Sequence, residues 1–355
     1  MKKRFKLTSL FLMTVLVATS YAGTIKSRGT AGAYQLSIPV GARGIALNGA
    51  NLGSVSGVEA IFYNPAGASN FGGSVEAQFS NMSYIADIDV NYAAFVTKLG
   101  GFGTFGLSVK SLDFGDIPRT SAENTEGTGE TFSPNFITAG ATWSKAFTDR
   151  LNFGVNFKFV SEQILRTSTS GIAVDLGVQY NFVTIPIRVG VVLKNLGSRM
   201  QYAGSDLEQK LKPLDTGEGT LNEGYQIVSE GFEMPAELNI SVSYTVIPGL
   251  SLMSVFQNNS FSNNELRFGG EYSLSFGSAS AWAGGAIATG LIDDDQPDDI
   301  ENSDWDEYGG SIFGITFGAG VSYPVGNMVV SLEVAQRSVT DYFNNNMVWS
   351  LKLAF

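Results

Sequence analysis

Histidine, cysteine and paired carboxylates carry most protein chemistry, and this chain of 355 residues has no histidine and no cysteine. Ser-His-Asp catalysis, imidazole proton shuttling, thiolate chemistry and the usual zinc sites are therefore excluded. No carboxylates stand out as a catalytic pair, so we expect a protein that is not an enzyme, with no catalytic residue, no metal and no cofactor. The densest ionisable stretch is Asp293-Asp294-Asp295-Gln296-Pro297-Asp298-Asp299, continued by Glu301, Asp304, Asp306 and Glu307. Oxygen-rich loops can hold Ca²⁺, but this one lacks the glycine and spacing of an EF-hand. It reads instead as a solvated, self-repelling external loop. The other notable polar residues stand singly: Lys110, Asn156, Lys158, Asp175, Arg188, Lys194, Arg267 and Lys352.

Each of these sits at the polar position of an alternating segment. Leu151-Asn152-Phe153-Gly154-Val155-Asn156-Phe157-Lys158-Phe159 is the clearest case, and Ile172 to Phe182 repeats it. Successive strand residues point to opposite faces, so every such segment has one greasy and one wet face. Fourteen segments qualify: 74–85, 89–99, 102–112, 133–147, 151–162, 169–182, 185–195, 235–247, 250–260, 264–276, 278–290, 309–323, 326–337 and 345–355. Their length is about that of a tilted membrane-crossing strand, roughly 11 residues. Phe153, Val155, Phe157 and Phe159 are expected to face lipid, as are Val174, Leu176, Val178 and Tyr180, then Phe313, Ile315, Phe317 and Val321. Lys110, Asn156, Lys158, Asp175, Arg188, Lys194 and Arg267 are expected to face a lumen, because a cation at mid-membrane on the lipid side costs roughly 2–4 kcal/mol. The same reading predicts that arginine is far better tolerated at Asn156 than at Phe157.

The fold class expected is all-β: a fourteen-stranded antiparallel transmembrane β-barrel in an outer membrane. The connections fit. The long ones, 113–132, 196–234 and 291–308, follow the third, seventh and eleventh strands, so they share one side, while turns such as Thr148-Asp149-Arg150 and Pro248-Gly249 are tight. Loop 196–234 is long enough to fold over the barrel mouth or meet a partner, with Tyr202, Lys210, Lys212, Asp215, Glu218, Tyr225 and Phe232 as its distinctive residues. Trp143, Tyr180, Tyr244, Tyr323 and Trp349 lie near strand ends, as an interfacial aromatic girdle would.

Residues 1–22 read as a signal peptide: Lys2, Lys3, Arg4 and Lys6 precede an apolar stretch, and Ser20-Tyr21-Ala22 is a small-x-small cleavage site. Removing these four bases takes the net charge from −11 to −15, which disfavours nucleic acid as a partner. Export places the mature chain in the outer membrane of a Gram-negative bacterium, with outer-membrane lipid as its surroundings. Residues 23–73 are rich in Gly, Ala and Ser, with short helices expected at 41–47 and 58–63. Asn64, Pro65, Ala66 and Gly67 then make a tight turn. This segment is expected as a plug in the lumen or a periplasmic piece packed below it, and 74–355 as the barrel. A C-terminal aromatic, Phe355, on an alternating last strand resembles the signal read by the outer-membrane assembly machinery.

Ile38-Pro39-Val40-Gly41-Ala42-Arg43-Gly44-Ile45-Ala46-Leu47-Asn48-Gly49-Ala50, followed by Glu59-Ala60-Ile61-Phe62-Tyr63-Asn64-Pro65-Ala66-Gly67, resembles the start of the PorV/PorQ family within the FadL-like superfamily of outer-membrane barrels. Val191 to Gly197 is similar to the Asn-Leu-Gly strand end of such barrels. The sequence departs from the family at Leu47-Asn48-Gly49 and at Ser54-Val55-Ser56-Gly57, which bears on the subfamily and not on the superfamily. The resemblance implies a component of type IX protein secretion that binds or shuttles cargo at the outer membrane, with a translocon and secreted cargo as partners. The alternative it implies is a FadL-like transporter of hydrophobic small molecules.

Overall fold

A computed structural model describes residues 29–211, 223–291, 312–340 and 343–355. The expected signal peptide, the acidic run from Asp293, and Lys212, Asp215 and Glu218 lie outside the described residues. Fourteen long strands form the wall: β1 Val75–Ser83, β2 Asp89–Lys98, β3 Thr104–Asp113, β4 Asn135–Ala146, β5 Leu151–Ile164, β6 Thr167–Asn181, β7 Ile187–Gly197, β8 Glu237–Ile247, β9 Leu250–Asn259, β10 Asn264–Phe276, β11 Ala279–Leu291, β12 Phe313–Val325, β13 Met328–Val339 and β14 Asn346–Ala354. Each pairs antiparallel with the next, and β14 returns to β1 over Glu76↔Ala354 to Ser83↔Met347. The sheet thus closes on itself as a barrel. At the seam the Phe355 amide donates to Val75 O at 2.8 Å, and Phe355 O accepts from Ser74 N at 2.6 Å.

Alternation sets the two faces. Phe157 and Phe159 on β5, Ile172 and Val178 on β6 and Leu332 on β13 are exposed on the outside, while their sequence neighbours Lys158, Ala173, Gln179 and Ser331 are buried inside. Large apolar side chains cover the outside on nearly every strand, far more than the few hundred Å² a water-facing monomer presents. Four of the five girdle candidates, Trp143, Tyr180, Tyr244 and Tyr323, stand near the short-turn ends of their strands, and Trp349 stands near the opposite end.

One facing expectation is corrected. Phe313 pairs with Val339 but Thr316 pairs with Arg337, so β12 holds an extra residue in between. This bulge flips Phe313 inward, where its ring stacks on Arg337. Ile315, Phe317 and Val321 remain outside.

Replacing Phe157 with arginine is expected to destabilise the barrel by about 2–4 kcal/mol, against little change for Phe157→Leu. Denaturant unfolding in lipid vesicles checks this, and equal effects of the two variants would contradict the facing.

Candidate functional site

The segment before β1 is irregular: turns of helix at Tyr34–Leu36, α1 Ala42–Ala46, Ala50–Gly53, Gly57–Glu59, α2 Ala60–Tyr63 and Pro65–Ser69. Small residues allow this close winding, and most of it is buried. It runs down the lumen. Gly29 N donates to Phe261 O and Gly32 N to Glu233 O among the long-loop ends, while Ser74 enters β1 at the short-turn end.

Irregular backbone leaves amides and carbonyls without helical or ladder partners, and the wall's inward side chains supply them. Ser350 accepts from Ala42 N at 2.8 Å, Ser241 from Gly53 N at 2.9 Å and Glu76 from Val58 N at 3.0 Å. Thr316 donates to Ala46 O at 2.7 Å, Gln179 to Val55 O at 2.9 Å and Ser144 to Ala66 O at 2.9 Å. Two ion pairs add to this. Arg43 forks onto Glu271 of β10 at 2.6 and 2.8 Å, and Lys352 of β14 meets Glu59 at 2.9 Å. Glu333 of β13 also faces Lys352, at 3.8 Å.

The Asn64–Gly67 turn is the tightest joint. Asn64 is fully buried; its Oδ1 accepts from Ala66 N at 3.2 Å and its Nδ2 donates to Leu52 O and to Val178 O on β6. The turn comes so near the wall that a Cβ on Gly177 would sit 2.1 Å from Asn64 Oδ1, and one on Gly154 would sit 2.2 Å from Pro65 C. Glycine is required at both positions by space alone.

The remaining expected residues fall in three groups. Lys110, Asn156, Lys158, Asp175 and Lys194 are buried together on β3, β5, β6 and β7. Lys158 pairs with Asp175 at 2.6 Å and also bonds Asn195, and Lys194 pairs with Glu237 at 3.0 Å. Asn156 bonds Thr142 at 3.1 Å and reaches Asp175 and Ile61 O. Asn156 is thus held between plug and wall, so the expected contrast with Phe157 compares a packed lumen position with a lipid-facing one. Arg267 lies half-buried higher up, bound to Glu265 at 2.8 Å and to Asn48 O at 3.3 Å. Arg188 keeps lumen parity but is exposed at the short-turn end of β7.

Above the plug, towards the long-loop end, lies a cavity of about 480 Å³. Its floor is Ile38, Leu52, Phe62 and Tyr63, and Tyr84, Phe261 and Phe313 stand around it. Arg337, only 5% exposed, points into it. Its guanidinium lies 3.7 Å from the Phe313 ring centre and 5.6 Å from that of Tyr84. Nε and Nη2 donate to Asn346 Oδ1 at 3.0 and 2.9 Å, and among the described residues no carboxylate reaches it. Asn346 Nδ2 is buried without a partner. Sequence reasoning missed Arg337, Glu271 and Glu333, although all three occupy the polar beat of their strands.

Among the described residues the wall beside the cavity is not fully paired. β11 and β12 pair only from Ser280↔Ser322 to Ala286↔Thr316. Among the described residues no further pairing joins the two strands, although β11 runs on to Leu291 paired with β10 and Phe313 pairs with Val339 of β13. Ala288 and Phe313 flank this gap and line the cavity.

The long loop between β7 and β8 bolts to the barrel at both ends. Met200 and Met234 pack with Leu36, Val160 and Ala173, and Met200 pairs with Phe232. Tyr202 bonds Glu162. Tyr202 and Phe232 are thus spent on the wall, whereas Tyr225, Ile227 and Val228 are exposed.

No family model and no curated protein matches the chain. Solved structures do. The toluene transporter TodX of Pseudomonas putida aligns with TM-score 0.54 at 11% identity, covering 87% of this chain and 96% of that one. The CymD monoaromatic hydrocarbon channel gives 0.52 at 14%, covering 89% and 98%. A FadL homologue of Pseudomonas aeruginosa gives 0.52 at 12%, covering 90% and 98%. The fold is that of the FadL-like outer-membrane barrels. These likenesses carry the architecture only; the PorV/PorQ assignment and the type IX role rest on the N-terminal motif alone.

Two outcomes check the site. Gly177→Val should expel the Asn64–Gly67 turn and make residues 60–70 protease-sensitive in a barrel that still inserts; an unchanged digest would contradict the close fit. Because the chain has no cysteine, paired cysteines report cleanly on the wall. Ala281→Cys with Val321→Cys should form a disulfide, whereas Ile287→Cys with Ile315→Cys should not. Equal cross-linking would close the gap.

Proposed function

We propose that this protein is an outer-membrane channel for small molecules with an apolar body and one acidic group. It is not an enzyme on this reading. The observation that carries it is Arg337, a buried cation that faces an aromatic-rich cavity and is paired with no carboxylate among the described residues. The other cations of the cavity wall, Lys194 and Arg267, already have Glu237 and Glu265. A buried guanidinium is stable when an anion meets it, and a carboxylate would use its free donors together with Asn346 Nδ2. The apolar body then lies against Phe313, Tyr84, Phe62 and Ile38.

The route follows from what holds still. The plug is bonded to the wall on all sides, so passage straight down requires breaking many partners at once. The gap between β11 and β12 opens beside the cavity at no such cost, and we propose it as the exchange path with the membrane. The hydrocarbon channels TodX and CymD support a small-molecule role over a secretion role. The proposed partners are accordingly membrane lipid and a small organic acid, with Asn64–Gly67 as a structural joint and Phe355 as the assembly signal.

Uptake into proteoliposomes tests the reading, with benzoate and octanoate as acids and toluene as the neutral comparison. The intact protein should favour the acids. Arg337→Leu should lower their apparent affinity roughly tenfold or more, as expected for loss of a charge-assisted bond of about 1.5–3 kcal/mol, and leave toluene unchanged. An equal loss for all three compounds, or none, would contradict the role of Arg337.

A further inference from the structure

Deeper than the cavity, on the other side of Phe62, three inward residues stand in one row across three strands. Tyr92 of β2 pairs with Lys110 of β3, and Lys110 pairs with Thr138 of β4. All three are buried. Thr138 Oγ1 has no hydrogen-bond partner, and Tyr92 Oη meets only the Ser108 hydroxyl. Lys110 Nζ donates to Ile38 O at 2.9 Å and lies 4.8 Å from the Phe62 ring centre. An ammonium carries three N–H donors, so two remain for another acceptor.

The charges here are uneven. Lys110, Lys158 and Lys194 are all buried, Lys194 reaching the opposite side of Phe62 at 4.3 Å. Asp175 answers Lys158 at 2.6 Å and Glu237 answers Lys194 at 3.0 Å. Lys110 has no carboxylate within ion-pair distance among the described residues. A buried ammonium without a counter-charge costs several kcal/mol. An orphaned hydroxyl adds about 1–3 kcal/mol. Against Lys110, Tyr92 and Thr138 lies a small void of about 20 Å³, enough for one small particle.

We infer that this void binds a single monatomic anion of chloride's size. Lys110 supplies the charge, and Thr138 and Tyr92 supply O–H donors. Asp175 also borders the void, but its oxygens are taken: Oδ1 by Lys158 and by Asn195 N at 2.8 Å, and Oδ2 by Asn156 at 3.4 Å. The anion therefore meets donors on the Lys110 side and a neutralised carboxylate on the other. Its presence fastens the Ile38 stretch of the plug to β3, immediately below the cavity floor. This site is independent of the transport reading, since Lys110 does not line the cavity.

Crystals of the whole protein grown with sodium bromide in place of chloride test the inference. An anomalous bromide peak is expected between Lys110 Nζ and Thr138 Oγ1, and the peak should vanish in Lys110→Met. Heat or denaturant resistance should be higher in chloride or bromide than in gluconate at the same ionic strength, and this difference should vanish in Lys110→Met. Should that variant fail to assemble, Thr138→Val keeps the charge and should lower bromide occupancy with the fold intact. A water without anomalous signal, a peak that survives Lys110→Met, or stability indifferent to the halide would each overturn the proposal.

Discussion

A backbone amide or carbonyl facing hydrocarbon has no water to bond, so a chain that crosses a membrane must satisfy its own polar groups. Fourteen antiparallel strands meet that demand by closing on themselves, with β14 hydrogen-bonded to β1. The same demand acts a second time inside. Residues 29–74 are neither long helix nor ladder, and most of them are buried. Serine, threonine, glutamine, lysine and carboxylate side chains of the wall complete them one by one. The polar beat of the strands is therefore a set of partners for the plug as much as a lining for a channel.

Fixing the plug shapes everything above it. The cavity has a firm floor at Ile38, Leu52, Phe62 and Tyr63, and among the described residues β11 and β12 part beside it. The bulge in β12 turns the Phe313 ring onto Arg337. Among the described residues the buried cations of the lumen are paired with carboxylates except at two positions. Arg337 faces space large enough for an organic molecule, and Lys110 faces space for one ion.

Much of the barrel was legible because period-two alternation is a local signal. Each of the fourteen expected strands has its counterpart, with ends displaced by four residues at most, as at Phe313. The long loops sorted to one side for the same reason, since counting strands needs no knowledge of packing. What alternation cannot convey is which inward residue meets which plug atom. Glu271, Glu333 and Arg337 carry the same polar beat as Lys158, yet their partners Arg43, Lys352 and Phe313 lie far off in sequence. The Phe313 bulge reverses parity over two residues, too short a span for periodicity to show. Nor could alternation show how closely Asn156 is packed, because its contacts with Ile61 and Asp175 are tertiary. The N-terminal motif led towards secretion, whereas the barrel as a whole resembles hydrocarbon channels; thirty residues of motif report on the plug's joints more than on its cargo.

The claim on which the rest turns is that the plug is as firmly held as the wall. Amide hydrogen exchange on the protein in lipid nanodiscs measures this directly at Ala42, Gly53, Val58 and Ala66, whose amides bond Ser350, Ser241, Glu76 and Asn64. Protection of these four within the range of the β5 and β6 ladder amides is the expected result. Exchange within seconds at all four, beside a fully protected barrel, would mean a loose plug and would contradict the fixed floor and the sideways route together.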